Sequence, residues 1–305
     1  MATLPLPQRL VRLAPNPYSV AVSPTALLLV IGAAVLHAGW NALVKRGTDP
    51  LLFLWCTGVL ASLLYLPFTV LVLLRHGVRP EALPFVVATI ILHSTYFFTL
   101  GRAYRLGDYS LVYPVARGLG VALVPVLALV FLDETLSPLG VLGIALVVAG
   151  IFSLHWRGGA WSDRRVLAPG TGWALVTGLS IAAYSLVDKA GVARLHPVAY
   201  IGLIELGSCL ALMPVVLSRR QDLQREWRQN RASIVAAAIG SPTGYLLVLF
   251  AFQLSKAAYV VAAREMSIVL SALIGSVWLG EGDLRRRLAG AAVVLAGVIG
   301  VALAR

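Results

Sequence analysis

Residues 24–45, PTALLLVIGAAVLHAGWNALVK, run for 21 positions before the first charged side chain, Lys45. An α-helix rises 1.5 Å per residue, so about 20 apolar residues cross the hydrocarbon core of a bilayer. Stretches of the same kind recur to the end of the chain. They cover roughly 50–74, 83–105, 108–131, 138–155, 170–190, 197–217, 232–254, 257–279 and 287–304. The longest connections between them are 156–169 (WRGGAWSDRRVLAP) and 218–231 (SRRQDLQREWRQNR).

Composition agrees with this reading. The chain of 305 residues is 59% hydrophobic and 12% charged, with mean hydropathy +0.86. Soluble domains carry about twice that charged fraction. Without water, backbone groups are satisfied only in helices or closed barrels, and these apolar runs are too long for barrel strands. The expected class is an all-α membrane protein with ten transmembrane helices, and its expected place is the bacterial inner membrane. The net charge of +12 does not point to nucleic acid, because the basic residues stand singly or in short clusters between apolar runs. Cys56 and Cys209 fall inside apolar segments and carry no redox information. Residues 1–23 are Pro-rich and lack an apolar core with a small-residue cleavage site, so they read as a tail.

The two sides of the 156–169 connection resemble one another. Trp40–Gly47, WNALVKRG, aligns with Tyr184–Gly191, YSLVDKAG, at an offset of 144, while Arg117 falls on Arg264 and Glu134 on Glu281 at 147. Ala145, Ala149 and Ser153 match Ala292, Ala296 and Gly300 at the same offset. The expected organisation is a tail (1–23), one five-helix repeat (24–155), a connecting loop (156–169) and a second repeat (170–305). Five spans is an odd number, so the second repeat enters the membrane from the opposite side. Such inverted repeats place a binding site between the halves near the midplane.

Several stretches now make a likeness specific: LHAGWNALVKRG, AYRLGDYSLVYPVARG and FLDETLSPLGVLGIALVVAGI in the first half, AFQLSKAAYVVAARE and WLGEGDLRRRLAGAAVVLAGVIG in the second. In order and spacing they resemble EamA-type repeats of the drug/metabolite transporter superfamily, over residues 25–304. The resemblance implies alternating access around a central cavity lined mainly by the first, third and fourth helices of each half. It also implies a small-molecule substrate, such as an amino acid, another metabolite or a drug, usually moved outward. The second half departs where Ile181 and Tyr184 replace His37 and Trp40, which argues against a symmetric site.

Ionisable groups inside a membrane cost about 2.5–3.5 kcal/mol by insertion scales unless paired or wetted, and so mark candidate sites. Arg117, Arg264, Glu205 and Glu265 are such groups, two cations against two anions. The arginines suit an anionic substrate group or a fixed Arg–Glu pair. Glu205, with no counterpart in the other half, and Glu265 are the candidate coupling carboxylates. His37, Trp40, Asn41 and Val44 share one face of the first segment, and Thr89, His93 and Tyr96 share one of the third, so both make candidate cavity walls. Tyr113-Pro114 enters the fourth segment, either as a cavity-lining kink or as a helix start. In the ninth, Arg264, Ser267, Ser271 and Gly275 fall on one helical stripe. The small residues of the fifth and tenth segments (Ala145, Ala149, Ser153; Ala292, Ala296, Gly300, Ala304) suggest close helix packing. Glu134 and Glu281, at helix ends, suit capping or a salt bridge.

An intramembrane enzyme is the alternative class, and a non-transporting accessory subunit a third. HExxH and GxSG are absent from the sequence. Gly280-Glu281-Gly282-Asp283 fits GxGD but stands among Arg285, Arg286 and Arg287, with Asp108 and Asp188 expected at helix ends. Without GxxxxGK[ST], a P-loop ATPase is excluded and transport must be secondary. No catalytic residue, metal site or cofactor is expected, and the protein would work as a monomer or homodimer. Lys and Arg number eight on the side of the termini and fifteen on the other. The positive-inside rule then favours external termini, whereas the resemblance implies cytoplasmic ones.

Overall fold

The structure, a computed structural model, describes residues 23–44, 47–107, 109–155, 169–273 and 284–304. The tail, Lys45, Asp108, the 156–168 connection, Gly275 and the Gly280–Asp283 motif with Glu281 lie outside them. All regular elements among the described residues are helical. They are α1 (Pro24–Val44), α2 (Pro50–His76), α3 (Leu83–Leu106), α4 (Tyr109–Phe131), α5 (Pro138–His155), α6 (Pro169–Val192), α7 (Pro197–Leu217), α8 (Arg220–Leu254), α9 (Ala257–Arg264), α10 (Met266–Leu273) and α11 (Leu284–Leu303), with a 3₁₀ turn at Pro80–Ala82.

The helix starts follow local chemistry. Proline opens α1, α2, α5, α6 and α7, where its missing N–H has no intrahelical partner to lose and its φ is already helical. Asp49 caps α2 by accepting from the Leu51 and Leu52 amides at 3.0 and 3.2 Å. Gly77, at φ 68, closes the same helix with its N–H on the Leu73 carbonyl.

Seven of the described helices are long and apolar enough to cross a membrane, and α5 and α11 supply shorter apolar helices. Their outward faces are greasy: Leu74 is 80% and Leu28 71% exposed, a surface suited to lipid and not to water. The chain is a multi-pass integral membrane protein.

Three expectations need correction. The 218–231 stretch is not a loop, because α8 starts at Arg220 and runs 35 residues. Its polar start is built of Gln, Arg, Glu and Leu, good helix formers, and charge there marks the end of the apolar zone instead of the end of the helix. The ninth segment is not one continuous helix over 257–279, since α9 and α10 meet at a turn on Glu265. The Glu265 amide bonds to Ala262 and the Ile268 amide to Glu265, at 3.1 and 2.9 Å, a tightened i→i+3 turn that interrupts the stripe of Arg264, Ser267 and Ser271.

The third correction concerns α5 and α11, the most extensive helix pair. Ala145, Ala149, Ser153, Ala292 and Ala296 are exposed, while Gly300 faces Gly143 and Ala304 is buried; the closest contact runs along Gly143, Val147 and Gly150 against Gly290, Val294, Gly297 and Val301. A Cβ on Gly143 would sit 2.7 Å from both the Gly297 carbonyl and the Val301 amide. Only glycine allows backbones so close, so glycines carry the contact and the alanines at 145, 149, 292 and 296 face outward.

The other large contacts are α1 with α8, α3 with α6, α4 with α6 and α2 with α7. In the apolar core, α9 is buried along its whole length from Ala257 to Arg264. At one end of the bundle, Glu134 accepts from the Ala257 amide at 2.6 Å and from Ala258 at 3.4 Å, capping α9. Lys189 donates to the Phe252 and Ser255 carbonyls that close α8. At the other end Glu226, 1% exposed, accepts from the Thr48 and Asp49 amides at 3.0 and 2.9 Å. Arg219 reaches Asp49 at 2.8 Å. Each end of the bundle is therefore tied by carboxylates that hold backbone amides.

Candidate functional site

A cavity with about 610 Å³ of atom-free space lies between α1, α3, α4, α6, α7, α8 and α9. Of the sequence-derived candidates, His37, Trp40, His93, Tyr96, Arg117, Arg264 and Glu205 line it. Asn41, Tyr113, Ser267 and Glu265 do not; Asn41 instead donates to the His37 carbonyl at 2.9 Å. Ser267 is buried with its hydroxyl unpartnered, and the side chain of Ser271 lies outside the described residues. Pro114 is the sixth residue of α4, so it does not open the helix.

The four ionisable candidates separate into unlike roles. Arg117 donates from Nε to Glu265 Oε2 at 3.1 Å and from Nη2 to Oε1 at 2.6 Å. Both residues are buried, at 5% and 0% exposure, and the two-pronged geometry suits a fixed pair. The turn at Glu265 lets this side chain meet Arg117 while its neighbour Arg264 turns to the cavity. Arg264 is 3% exposed, and its Nε and Nη2 have no hydrogen-bond partner. Its nearest carboxylate oxygen, on Glu265, is 4.0 Å from Nε. Buried donors left unpaired cost about 1–3 kcal/mol, more when charged, and so call for an explanation.

Glu205 is half-buried and pairs with no arginine. It lines both the cavity and a second hollow of about 410 Å³ between α2, α3, α7 and α8. The two hollows share Phe97, Glu205 and Ser241, so Glu205 stands at their junction. Around the second one, Thr57 and Ser208 carry unpartnered hydroxyls.

Aromatic rings make the rest of the wall. His93 lies 4.3 Å from Tyr184 and 5.4 Å from Tyr245, centroid to centroid. Tyr96 meets Tyr184 edge-on at 5.6 Å, and His37 meets Trp40 edge-on at 4.9 Å. Such contacts hold flat rings in fixed orientations and present them to a bound molecule.

Three members of this group were not legible as site residues. Tyr184 aligns with Trp40 at the 144-residue offset, a signal that could have marked it beside Trp40, and both line the cavity. Tyr245 lies in an apolar stretch without a marking pattern. Asp188 reads as a helix-end residue in the sequence, yet it is fully buried. Thr89, Tyr200 and Tyr245 all donate hydroxyl protons to it. Tertiary packing of α3, α7 and α8 over the last turns of α6 removed it from solvent.

Residues 168–303 match the EamA-like transporter family, and residues 53–147 match the Small Multidrug Resistance protein family. Among curated proteins, the nicotine metabolites export pump subunit NepA of Paenarthrobacter nicotinovorans is 33% identical over 73 residues, 24% of this chain. The alignment spans 63% of that relative's length. A solved structure, described only as the crystal structure of a protein, superposes with TM-score 0.70 over 91% of this chain and 97% of its own. At 19% identity it is a likeness of fold alone. The family matched over residues 168–303 is described as transporters, and the curated relative as a subunit of an export pump.

Proposed function

We propose that this membrane protein, an EamA-type drug/metabolite transporter by its match over residues 168–303, exports a small amphipathic molecule by alternating access of two inverted five-helix repeats. The repeats are residues 24–155 and 170–305, joined by 156–169. The pairing of helices supports this division. Exchanging the halves sends α1, α2, α3, α4 and α5 to α6, α7, α8, α9–α10 and α11. The contacts of α1 with α8 then become those of α6 with α3, while α2 with α7 and α5 with α11 map onto themselves. At the last interface, Gly143 meets Gly297 and Gly290 lies beside Gly150, pairs related by the 147-residue offset.

The observation that carries the substrate reading is the unpartnered guanidinium of Arg264 in an aromatic cavity. A flat body against Tyr96, Tyr184 and Trp40, bearing an anionic or strongly accepting group for Arg264, satisfies those donors. Arg117, already held by Glu265, positions the cavity and does not contact the accepting group. Glu205 is the leading coupling carboxylate, and Glu265 a fixed counter-ion. Outward direction is taken from the export role in the name of the curated relative. The working unit is a monomer or homodimer.

The test is a thermal-shift screen of purified protein with metabolites that carry a carboxylate, phosphate or neutral acceptor on a planar body, followed by flux of the hits in proteoliposomes. Loss of a charged hydrogen bond of about 1.5–3 kcal/mol makes binding to Arg264→Gln about 10- to 100-fold weaker. Hits that stabilise and cross equally well with Arg264→Gln would refute the assignment.

A further inference from the structure

Asp188 and His93 form a cluster that the transport reading leaves without a role. Asp188 accepts three hydroxyl donors, Thr89 and Tyr200 on Oδ1 and Tyr245 on Oδ2. A protonated acid would have to donate one of these bonds, so the arrangement fits the carboxylate. The Thr89 hydroxyl spends its only proton on Asp188. His93 Nδ1 lies 3.0 Å from that hydroxyl oxygen and 3.1 Å from the Thr89 carbonyl. Neither oxygen has a proton to give, so Nδ1 must be the donor. In neutral His93 the lone pair therefore sits on Nε2. That nitrogen points at Asp188 Oδ2 from 3.8 Å, an acceptor facing an acceptor.

We infer that His93 and Asp188 form a proton-binding site at the cavity wall, which takes one proton from the aqueous phase on His93 Nε2. No other bond changes. The imidazole becomes an imidazolium, its new N–H turns the facing pair into an ion pair, and the net charge of the pair goes from −1 to 0. Every group around it bears on that step. Thr89 fixes Nδ1 from the same helix, where Tyr96 and Phe97 follow. Asp188 and Tyr184 face it from α6, Tyr245 from α8, and Tyr200 from α7 by way of Asp188. Across the cavity stand Arg264 of α9, whose positive charge opposes loading, His37 of α1, and Glu205 of α7, which favours it. Since His93 lines the cavity, a substrate meets a His93–Asp188 pair that is either singly negative or neutral. That makes proton and substrate binding interdependent. Only this last use of the proton rests on the transporter reading.

The test is a nitrogen NMR titration of protein labelled with ¹⁵N-histidine, with the His93 signals identified by their loss in His93→Gln. The expected result is Nδ1 protonated throughout and Nε2 gaining a proton as the pH falls. Asp188→Asn removes the facing charge and moves the midpoint down by about 1–3 pH units. Tyr245→Phe removes one donor from Asp188, leaves its charge less dispersed, and moves the midpoint up. The signals of His37, His76 and His196 report whether each variant is folded. A neutral His93 protonated on Nε2, an Nε2 that gains no proton over the pH range in which the protein stays folded, or a midpoint indifferent to both folded variants would overturn the site. Titration in a protein that moves no solute would refute transport and leave the proton site standing.

Discussion

Glu265→Gln and Arg117→Gln break the same buried pair, yet they should differ in cost. Arg117, Arg264 and Glu265 are 5%, 3% and 0% exposed, so each charge depends on the others and not on water. Two cations share one carboxylate, with Arg117 at 2.6 Å and Arg264 at 4.0 Å. Removing the carboxylate leaves both cations uncompensated. Removing Arg117 leaves one charge of each sign, and Arg264 has only the last ångström to close. Breaking a buried pair costs about 3–5 kcal/mol when the remaining charge has no partner. Glu265→Gln should reach that range, and Arg117→Gln should cost about half as much. The measurement is equilibrium unfolding in mixed micelles as dodecyl sulfate is increased, followed by helical circular dichroism. Arg117→Gln at least as destabilising as Glu265→Gln would show that Arg264 does not act as the reserve partner. Transport separates the arginines further, since Arg264→Gln should lose substrate with stability little changed.

Other outcomes follow from single contacts. A Cβ on Gly297 would lie 2.6 Å from the Gly143 carbonyl and 2.7 Å from the Val147 amide. Gly297→Ala should therefore cost about 1–3 kcal/mol in the same unfolding assay, whereas Ala296→Val, on the exposed face, should stay within about 0.5 kcal/mol. Equal stabilities would mean that the glycine contact does not hold α5 to α11. Glu226→Ala strips the acceptor from two backbone amides in the link from α1 to α2. Hydrogen exchange at Thr48 and Asp49 should then quicken while the amides of α2 beyond its first turn keep their protection. Unchanged exchange at both positions would show that the clamp is not closed in the membrane-embedded protein.

Sequence and structure decided different things about this protein. Segment lengths and the scarcity of charge determine a helical membrane protein, because a bilayer core removes every other way to satisfy the backbone. Offsets of 144 and 147 between the halves raise the expectation of a repeat, and polar groups in apolar runs pointed to Arg117, Arg264, Glu205, His37 and His93, because charge in hydrocarbon is costly enough to stand out. What the linear pattern did not contain is partnership. Which arginine is neutralised depends on a turn at Glu265 that swings one carboxylate toward α4. Asp188 looks like a helix-end charge until α3, α7 and α8 close over it. In α5 and α11 two stripes of small residues compete, and the glycine stripe makes the contact because backbones approach closest where no Cβ intervenes. The membrane class was thus written in composition, as the opening segment 24–45 already shows. Which arginine holds Glu265 and what faces His93 were decided by packing, since these contacts join atoms from distant parts of the chain.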